Sequence, residues 1–346
     1  MNGEDRPSFV SDYMEGAHPL ILGRLAETNL VKTPGYGADE FTASAAAKIR
    51  KACGTPEADV FFLAGGTQTN AVMIAAMLRP WQGVMSAGSG HISVHEAGAV
   101  EASGHKVLTL EHEDGKISAR AVRECMEGWL QDGNRDHMVM PGMVYISQPT
   151  EYGTLYSLRE LRELSEACRG YGIPLYLDGA RLAYALACPE NDVTLKDLGA
   201  LCDAFYIGGT KCGTLFGEAA VVPKHGFIPH LFTQIKQRGA LLAKGRIAGL
   251  QFDTLFTDDL YLRIGEPAIR AAEKIRKALR EKGYETAFPN PTNQIFILLD
   301  EGQAEEIGRK ADLGFMERTG DGRMLMRIAT SWATREEEVD RLIECL

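Results

Sequence analysis

LYLDGARLAYALACPENDVTLKDLGALCDAFYIGGTKCGTLFG, residues 175–217, is the stretch on which the fold turns. Two apolar runs each end in one charged residue. Leu175, Tyr176 and Leu177 lead into Asp178; Ala204 to Ile207 lead, through Gly208 and Gly209, into Thr210 and Lys211. Both runs read as strands of an open α/β sheet, where ligands gather outside the carboxyl ends. A carboxylate and an amine at neighbouring strand ends suit pyridoxal 5'-phosphate (PLP). Lys211 would form a Schiff base with its aldehyde, and Asp178 would hold the proton on the pyridine nitrogen.

Upstream, the pattern repeats. Met143 to Ser147 reads as a strand ending in SQPTEYGTLY, so Gln148, Thr150 and Glu151 are expected to face the Asp178 crevice. Ser157 caps a helix whose Leu158, Leu161, Leu164 and Ala167 form an apolar stripe. Further back, Val60–Ala64 reads as a buried strand, Gly65 and Gly66 as a turn, and Thr67 to Arg79 as a helix. A glycine turn feeding a helix N-terminus offers backbone N–H groups to a phosphate, or is simply a close-packed turn. GGT lacks the fingerprints of dinucleotide and nucleoside-triphosphate loops. The next Gly-rich turn precedes His91, whose imidazole could stack on a flat ring, act as a base, or be structural. His91 and His95 are spaced i, i+4 but lack the intervening Glu of a metal-binding helix, so no metal is expected. Strands alternating with helices from 60 to 222 predict a largely parallel, doubly wound sheet.

The 346 residues carry 37 basic and 47 acidic side chains, a formal charge of −10. No Lys/Arg cluster marks a nucleic-acid surface. Seven scattered cysteines without zinc spacing read as reduced thiols. MNGEDRPSFVSDY has no apolar leader pattern, and no apolar run reaches the roughly 18 residues of a spanning helix. A cytoplasmic protein without a membrane segment is the expectation.

Downstream of Lys211, Glu218–Val222 reads as a strand and Ile228–Leu242 as a helix. A long helical stretch runs from about 259 to 282, with Pro267 as a kink or boundary. NQIFILLD (293–300) and RMLMRIATSW (323–332) read as strands, and 334–346 as a closing helix. The expected organisation is an N-terminal arm and helix (1–54), a large domain (55–250) and a small α+β domain (251–346). The arm's irregular SFVSDYMEGAHPLIL is expected to wrap another surface, such as a partner subunit. Arg181, three residues past Asp178, could grip a carboxylate or form a surface ion pair. Arg327 interrupts an apolar strand and needs an internal or bound carboxylate.

GGTQTN, GHISVHEAGAVEASGHKV, LYLDGARLA and FYIGGTKCGTLFGEA, with YGADE and MRIATSW, together resemble the fold-type I PLP enzymes. Within them the chain resembles the threonine aldolase / aromatic amino acid β-eliminating lyase family. The resemblance implies an aspartate-aminotransferase-type fold, with a mainly parallel seven-stranded sheet and a small α+β C-terminal domain. By resemblance, Lys211 is the Schiff-base lysine, Asp178 the pyridinium partner and His91 the stacking residue. Gly66, Thr67, Gln68 and Thr210 contact the cofactor. Ser11, Arg181 and Arg327 bind the substrate carboxylate, and Tyr36 is lent across a subunit interface. Arg238 or Lys244 would reach a partner's phosphate. A homodimer or homotetramer with shared active sites follows.

Where the family carries a histidine after the Met143 strand, this chain has Glu151, and GGTKCGT replaces the common SKGLG. A carboxylate can still accept a β-hydroxyl proton if its pKa allows. The expected reaction is cleavage of the Cα–Cβ bond of threonine or allo-threonine to glycine and acetaldehyde. The alternatives are β-elimination from an aromatic or sulfur amino acid, a PLP-binding regulatory protein with little turnover, and a nucleotide-binding α/β enzyme.

Overall fold

The computed structural model describes residues 6–346; residues 1–5, the start of the expected N-terminal arm and of the stretch expected to lack a leader, lie outside the described residues. Among the described residues the strands are β1 (Ser8–Phe9), β2 (Asp59–Leu63), β3 (Gln82–Ala87), β4 (Val107–Leu110), β5 (Met140–Ser147), β6 (Leu175–Asp178), β7 (Ala204–Gly208), β8 (Glu218–Val222), β9 (Glu285–Thr286), β10 (Gln294–Leu299), β11 (Asp312–Arg318) and β12 (Met324–Ala329). They make a seven-stranded sheet, β2-β8-β7-β6-β5-β3-β4, and a five-stranded sheet, β1-β11-β12-β10-β9. In the larger sheet only β8 runs against its neighbours. This is the mainly parallel α/β architecture expected from the strand–helix alternation.

Side chains alternate across a strand, so each central strand feeds two cores. Val144, Ile146, Leu175, Leu177, Phe205 and Ile207 pack with Ile49, Val122, Leu161 and Leu164 from the covering helices. Met143, Tyr145, Tyr176, Ala204 and Tyr206 pack with Val72 and Met73 of the helix Gly66–Met77. The helices start where their caps dictate. Ser118 accepts the Ala121 N–H, and Ser157 and Glu160 form a reciprocal capping box. Gly172 closes that helix at φ 67°, a conformation open to glycine.

Two glycines let the central strand ends meet. A Cβ on Gly179 would run into the Tyr206 carbonyl, and one on Gly208 into the Ala180 carbonyl. The LDG and IGG motifs therefore bring Asp178 and the Lys211 loop together.

Several boundaries differ from expectation. The helix expected over 228–242 is confined to Leu231–Gln237. The long stretch from 259 divides into Leu260–Arg263 and Glu266–Glu281, with Pro267 in the first turn of the second helix rather than at a kink. Proline needs no hydrogen-bond partner there. The strand β11 escapes the periodicity because most of it is partly or fully exposed. The segment expected to wrap another surface starts by pairing with a distant strand of the chain: β1 lies parallel to β11, Ser8 opposite Asp312.

Candidate active site

The parallel register sets Ser147 of β5 level with Asp178 of β6, and the antiparallel register sets Gly208 of β7 level with Glu218 of β8. Two adjoining cavities, about 690 and 250 Å³, open at the carboxyl ends of β5, β6 and β7 and share Tyr13, His91, Glu151, Arg181 and Lys211. The smaller is also lined by Gly66, Thr67, Asp178, Thr210 and Glu218. The larger reaches Arg327 and an apolar wall of Val94, Tyr152, Phe296, Phe315 and Leu325.

Asp178 is buried and saturated with donors. Its Oδ2 accepts from Tyr145 Oη at 2.6 Å and Asn70 Nδ2 at 3.0 Å. Its Oδ1 accepts from the Ala180 N–H at 3.0 Å and from Tyr206 Oη. Burial alone would push this carboxyl up. The positive influence of His91 and the bonds from Tyr145, Tyr206 and Asn70 outweigh it and hold Asp178 below its ordinary range. The anionic form of Asp178 is thereby favoured at the floor of the smaller cavity.

Asn70 Nδ2 also donates to Glu96 Oε1 at 2.7 Å, and that oxygen lies 2.7 Å from His91 Nδ1. Glu96 thus fixes the His91 ring from behind, and the chain His91–Glu96–Asn70–Asp178 is continuous. Glu151 Oε1 accepts from Ser147 Oγ at 2.7 Å and from the His91 N–H at 2.9 Å. Burial pushes the Glu151 carboxyl up despite these donors. Gln148 and Thr150, expected in the crevice, turn into their own loop. The Gln148 amide bonds Tyr156 N and O, and the Thr150 hydroxyl bonds that of Thr154.

Arg181 forms a buried ion pair rather than a surface one: its Nε and Nη2 bond the two oxygens of Asp12 at 2.6 and 3.0 Å. Asp12 is held in turn by Asn293 Nδ2 at 2.9 Å. Arg327 differs. Its Nη2 donates to the Val10 carbonyl at 2.8 Å and its Nη1 to Gln294 Oε1 at 3.3 Å, and its Nε is buried without a partner. No carboxylate among the described residues lies within ion-pair distance of it. Burial, then Arg181, push its guanidinium down, so an anion there would be stabilised.

The Lys211 amine sits 5.8 Å from the centre of the Tyr13 ring. Burial and then Arg181 push it below the ordinary lysine range, against the opposing influence of Asp12, Asp178 and Glu218. An amine so displaced is a better nucleophile near neutrality.

Other expected residues stand apart. Gln68 lies in the helix turn beside the cavity, but its Oε1 accepts the Ala64 N–H. Ser11 is buried beside Asp12 and lines neither cavity. Tyr36, at φ 59°, lies under the Lys236 ammonium, 4.1 Å from its ring centre, in an apolar groove with Phe232 and Leu242. Arg238 and Lys244 are exposed and line neither cavity. Sequence reasoning overlooked Asp12, Asn70, Tyr145, Tyr206 and Glu218. The signal for the tyrosines was present: each stands two residues before a strand end, on the face Asp178 occupies.

The sequence matches the beta-eliminating lyase family over residues 9–301. The protein belongs to that family. It is 30% identical over 341 residues to a low specificity L-threonine aldolase of Pseudomonas aeruginosa, covering 96% of this chain and 95% of the relative. Among solved structures it superposes on a Leishmania major threonine aldolase with a TM-score of 0.94, at 43% identity over 98% of both chains. Aspartate aminotransferase from Thermus thermophilus shares the fold, with a TM-score of 0.71 at 16% identity over 99% of this chain and 91% of the other.

Proposed function

We propose that the protein is a PLP-dependent carbon–carbon lyase that cleaves the Cα–Cβ bond of a β-hydroxy-α-amino acid, threonine or allo-threonine, to glycine and acetaldehyde. One observation carries the reading: Lys211, Asp178, His91 and Glu151 line the smaller of two adjoining cavities, and the larger, which shares Lys211, His91 and Glu151, reaches Arg327, a cation with no carboxylate within ion-pair distance among the described residues.

The residues fit PLP. The helix Gly66–Met77 starts at Gly65 with no side-chain cap, and its first turn lines the smaller cavity, as a phosphate seat requires. Asp178 supplies a fixed negative charge for a ring N–H. His91, braced by Glu96, presents a flat ring at the same cavity. Lys211 would hold the cofactor through its aldehyde, and Gly66, Thr67 and Thr210 would surround its phosphate. When bound, PLP supplies an electron sink for the bond that breaks at Cα.

The chain's own residues do the rest. Arg327, and Arg181 braced by Asp12, bind the substrate carboxylate and so fix which substituent of Cα stands across the ring plane. Glu151, ionised, accepts the β-hydroxyl proton as the Cα–Cβ bond breaks. Lys211 holds or releases a proton close to Cα. Arm 1–54, a PLP-binding region 55–250 and a small domain 251–346 belong to the same proposal, as do a cytoplasmic location and a homodimer or homotetramer in which Tyr36 reaches a partner's site.

The family description favours a second reading, β-elimination with pyruvate and ammonia as products. A product screen of PLP-loaded protein against threonine, allo-threonine and aromatic amino acids separates the two. Acetaldehyde with glycine supports the first. Pyruvate with no aldehyde from any hydroxy-amino acid overturns it.

A further inference from the structure

Glu218 is a buried acid to which the reaction above assigns nothing. It stands at the start of β8, opposite both Gly208 of β7 and Leu63 of β2, with 3% of its surface exposed. Its Oε2 accepts the Gly209 N–H at 2.9 Å, and its carboxylate lies close to the Thr210 hydroxyl. That hydroxyl in turn accepts the Gly217 N–H at 3.0 Å. Gly209, two residues before Lys211, is therefore pinned to Glu218, and Thr210 to the neighbouring Gly217; Glu218 lines the smaller cavity with the lysine. Asp12, bonded to Arg181 and Asn293, and Asp178, with four donors, also act on the lysine, and more strongly than Glu218.

We infer that Glu218 is a positioning residue for Lys211: it ties down the loop carrying the lysine and adds a negative charge that favours a proton on the amine. The inference deepens the lysine's proposed role and rests on it only for its catalytic meaning. Lys211, Asp178, Tyr176, Tyr206, Tyr261 and Cys212 are the titratable groups around Glu218. Burial pushes the Glu218 carboxyl up to about 7, against its bonds to Thr210 and Gly209 and the attraction of Lys211. The sign follows. Below that value Glu218 is neutral and does not act on the amine; above it, the carboxylate adds to Asp12 and Asp178 in favouring the protonated amine.

The test is the rate at which a limiting amine acetylating reagent labels Lys211 in cofactor-free protein, read by peptide mass spectrometry from pH 6 to 10. Glu218→Gln is expected to label like the wild type at the acid end and up to roughly tenfold faster above pH 7, since one unit of pKa is tenfold in free amine. Glu218→Asp, which keeps the charge, should stay close to the wild type. Superimposed curves for Glu218→Gln and the wild type overturn the inference. If Glu218→Gln does not fold, the wild-type curve decides. A titration broader than that of one proton supports a second group on the amine, and a one-proton curve overturns it. Borohydride reduction with PLP separates the two readings: failure to attach at Lys211 sinks the cofactor role and leaves the labelling result standing.

Discussion

The Asp12 carboxylate grips the Arg181 guanidinium with two hydrogen bonds, at 2.6 and 3.0 Å, inside the protein. This places the arginine at the rim of both cavities before any substrate arrives. Removing one member of a buried pair strands the other, at about 3–5 kcal/mol. Asp12→Ala is expected to lower unfolding free energy on that scale in urea. In whatever folds, KM for the amino acid should rise more than kcat falls, because Arg181 loses its brace.

Arg327 bears the opposite relationship to its surroundings, a cation awaiting an anion. Arg327→Ala should reduce kcat/KM for threonine roughly 10- to 150-fold, matching the about 1.5–3 kcal/mol of a charged hydrogen bond. An amino alcohol lacking the carboxylate should be as poor for the wild type as for the variant. A variant that discriminates between the two substrates as well as the wild type does would remove Arg327 from carboxylate binding.

The donors on Asp178 keep it ionised. Tyr145→Phe deletes the 2.6 Å bond to Oδ2. PLP affinity, followed by absorbance titration, should weaken about 10-fold or more, as losing one charge-assisted bond implies. The loss should grow toward low pH, because the remaining donors hold the carboxylate less firmly.

Glu151 makes a pH prediction. Burial raises its pKa above the ordinary 4.5, and a base must be ionised to act. The rate should therefore fall on the acid side at a pH above the usual glutamate range. Glu151→Gln should remove that limb and lower kcat about 10²- to 10⁴-fold. An unchanged acid limb in the variant assigns it to another group.

Away from the site, Asp253 joins three helices: Arg24 Nη1 and Lys48 Nζ both lie 2.6 Å from it, and Ser44 Oγ also bonds it. Burial would raise this carboxyl, but Lys48, Ser44 and Arg24 hold it low. Its stabilisation is thus present above the unfolded pKa and is lost as pH falls through the folded value. With both cations about one-third exposed, Asp253→Asn should cost about 2 kcal/mol at pH 7 and progressively less in acid. Thermal unfolding against pH measures both.

What the sequence disclosed follows from locality. Asp178 and Lys211 end apolar runs, and the glycines beside them mark where backbones cross, so the central sheet and its crevice could be read from order alone. Ser118 and Ser157 announced their helices by caps within three residues. The partners of Arg181 and Arg327 could not be read this way. Asp12 and Val10 lie 169 and 317 positions away and meet the arginines only through tertiary packing. Glu218 hid because one carboxylate opening an apolar strand looks like a solvated end. Tyr145 and Tyr206 hid because a tyrosine in a buried strand reads as core.

The path of residues 8–15 carries a consequence for biosynthesis. Ser8 pairs with Asp312, Val10 receives Arg327, Asp12 receives Asn293, and Glu15 bonds Ser331. Residues 8–15 thus find these partners only after residues 293–331 have been made. A nascent chain that stops short of residue 293, however complete its central sheet, leaves Asp12 without Asn293 and Val10 without Arg327.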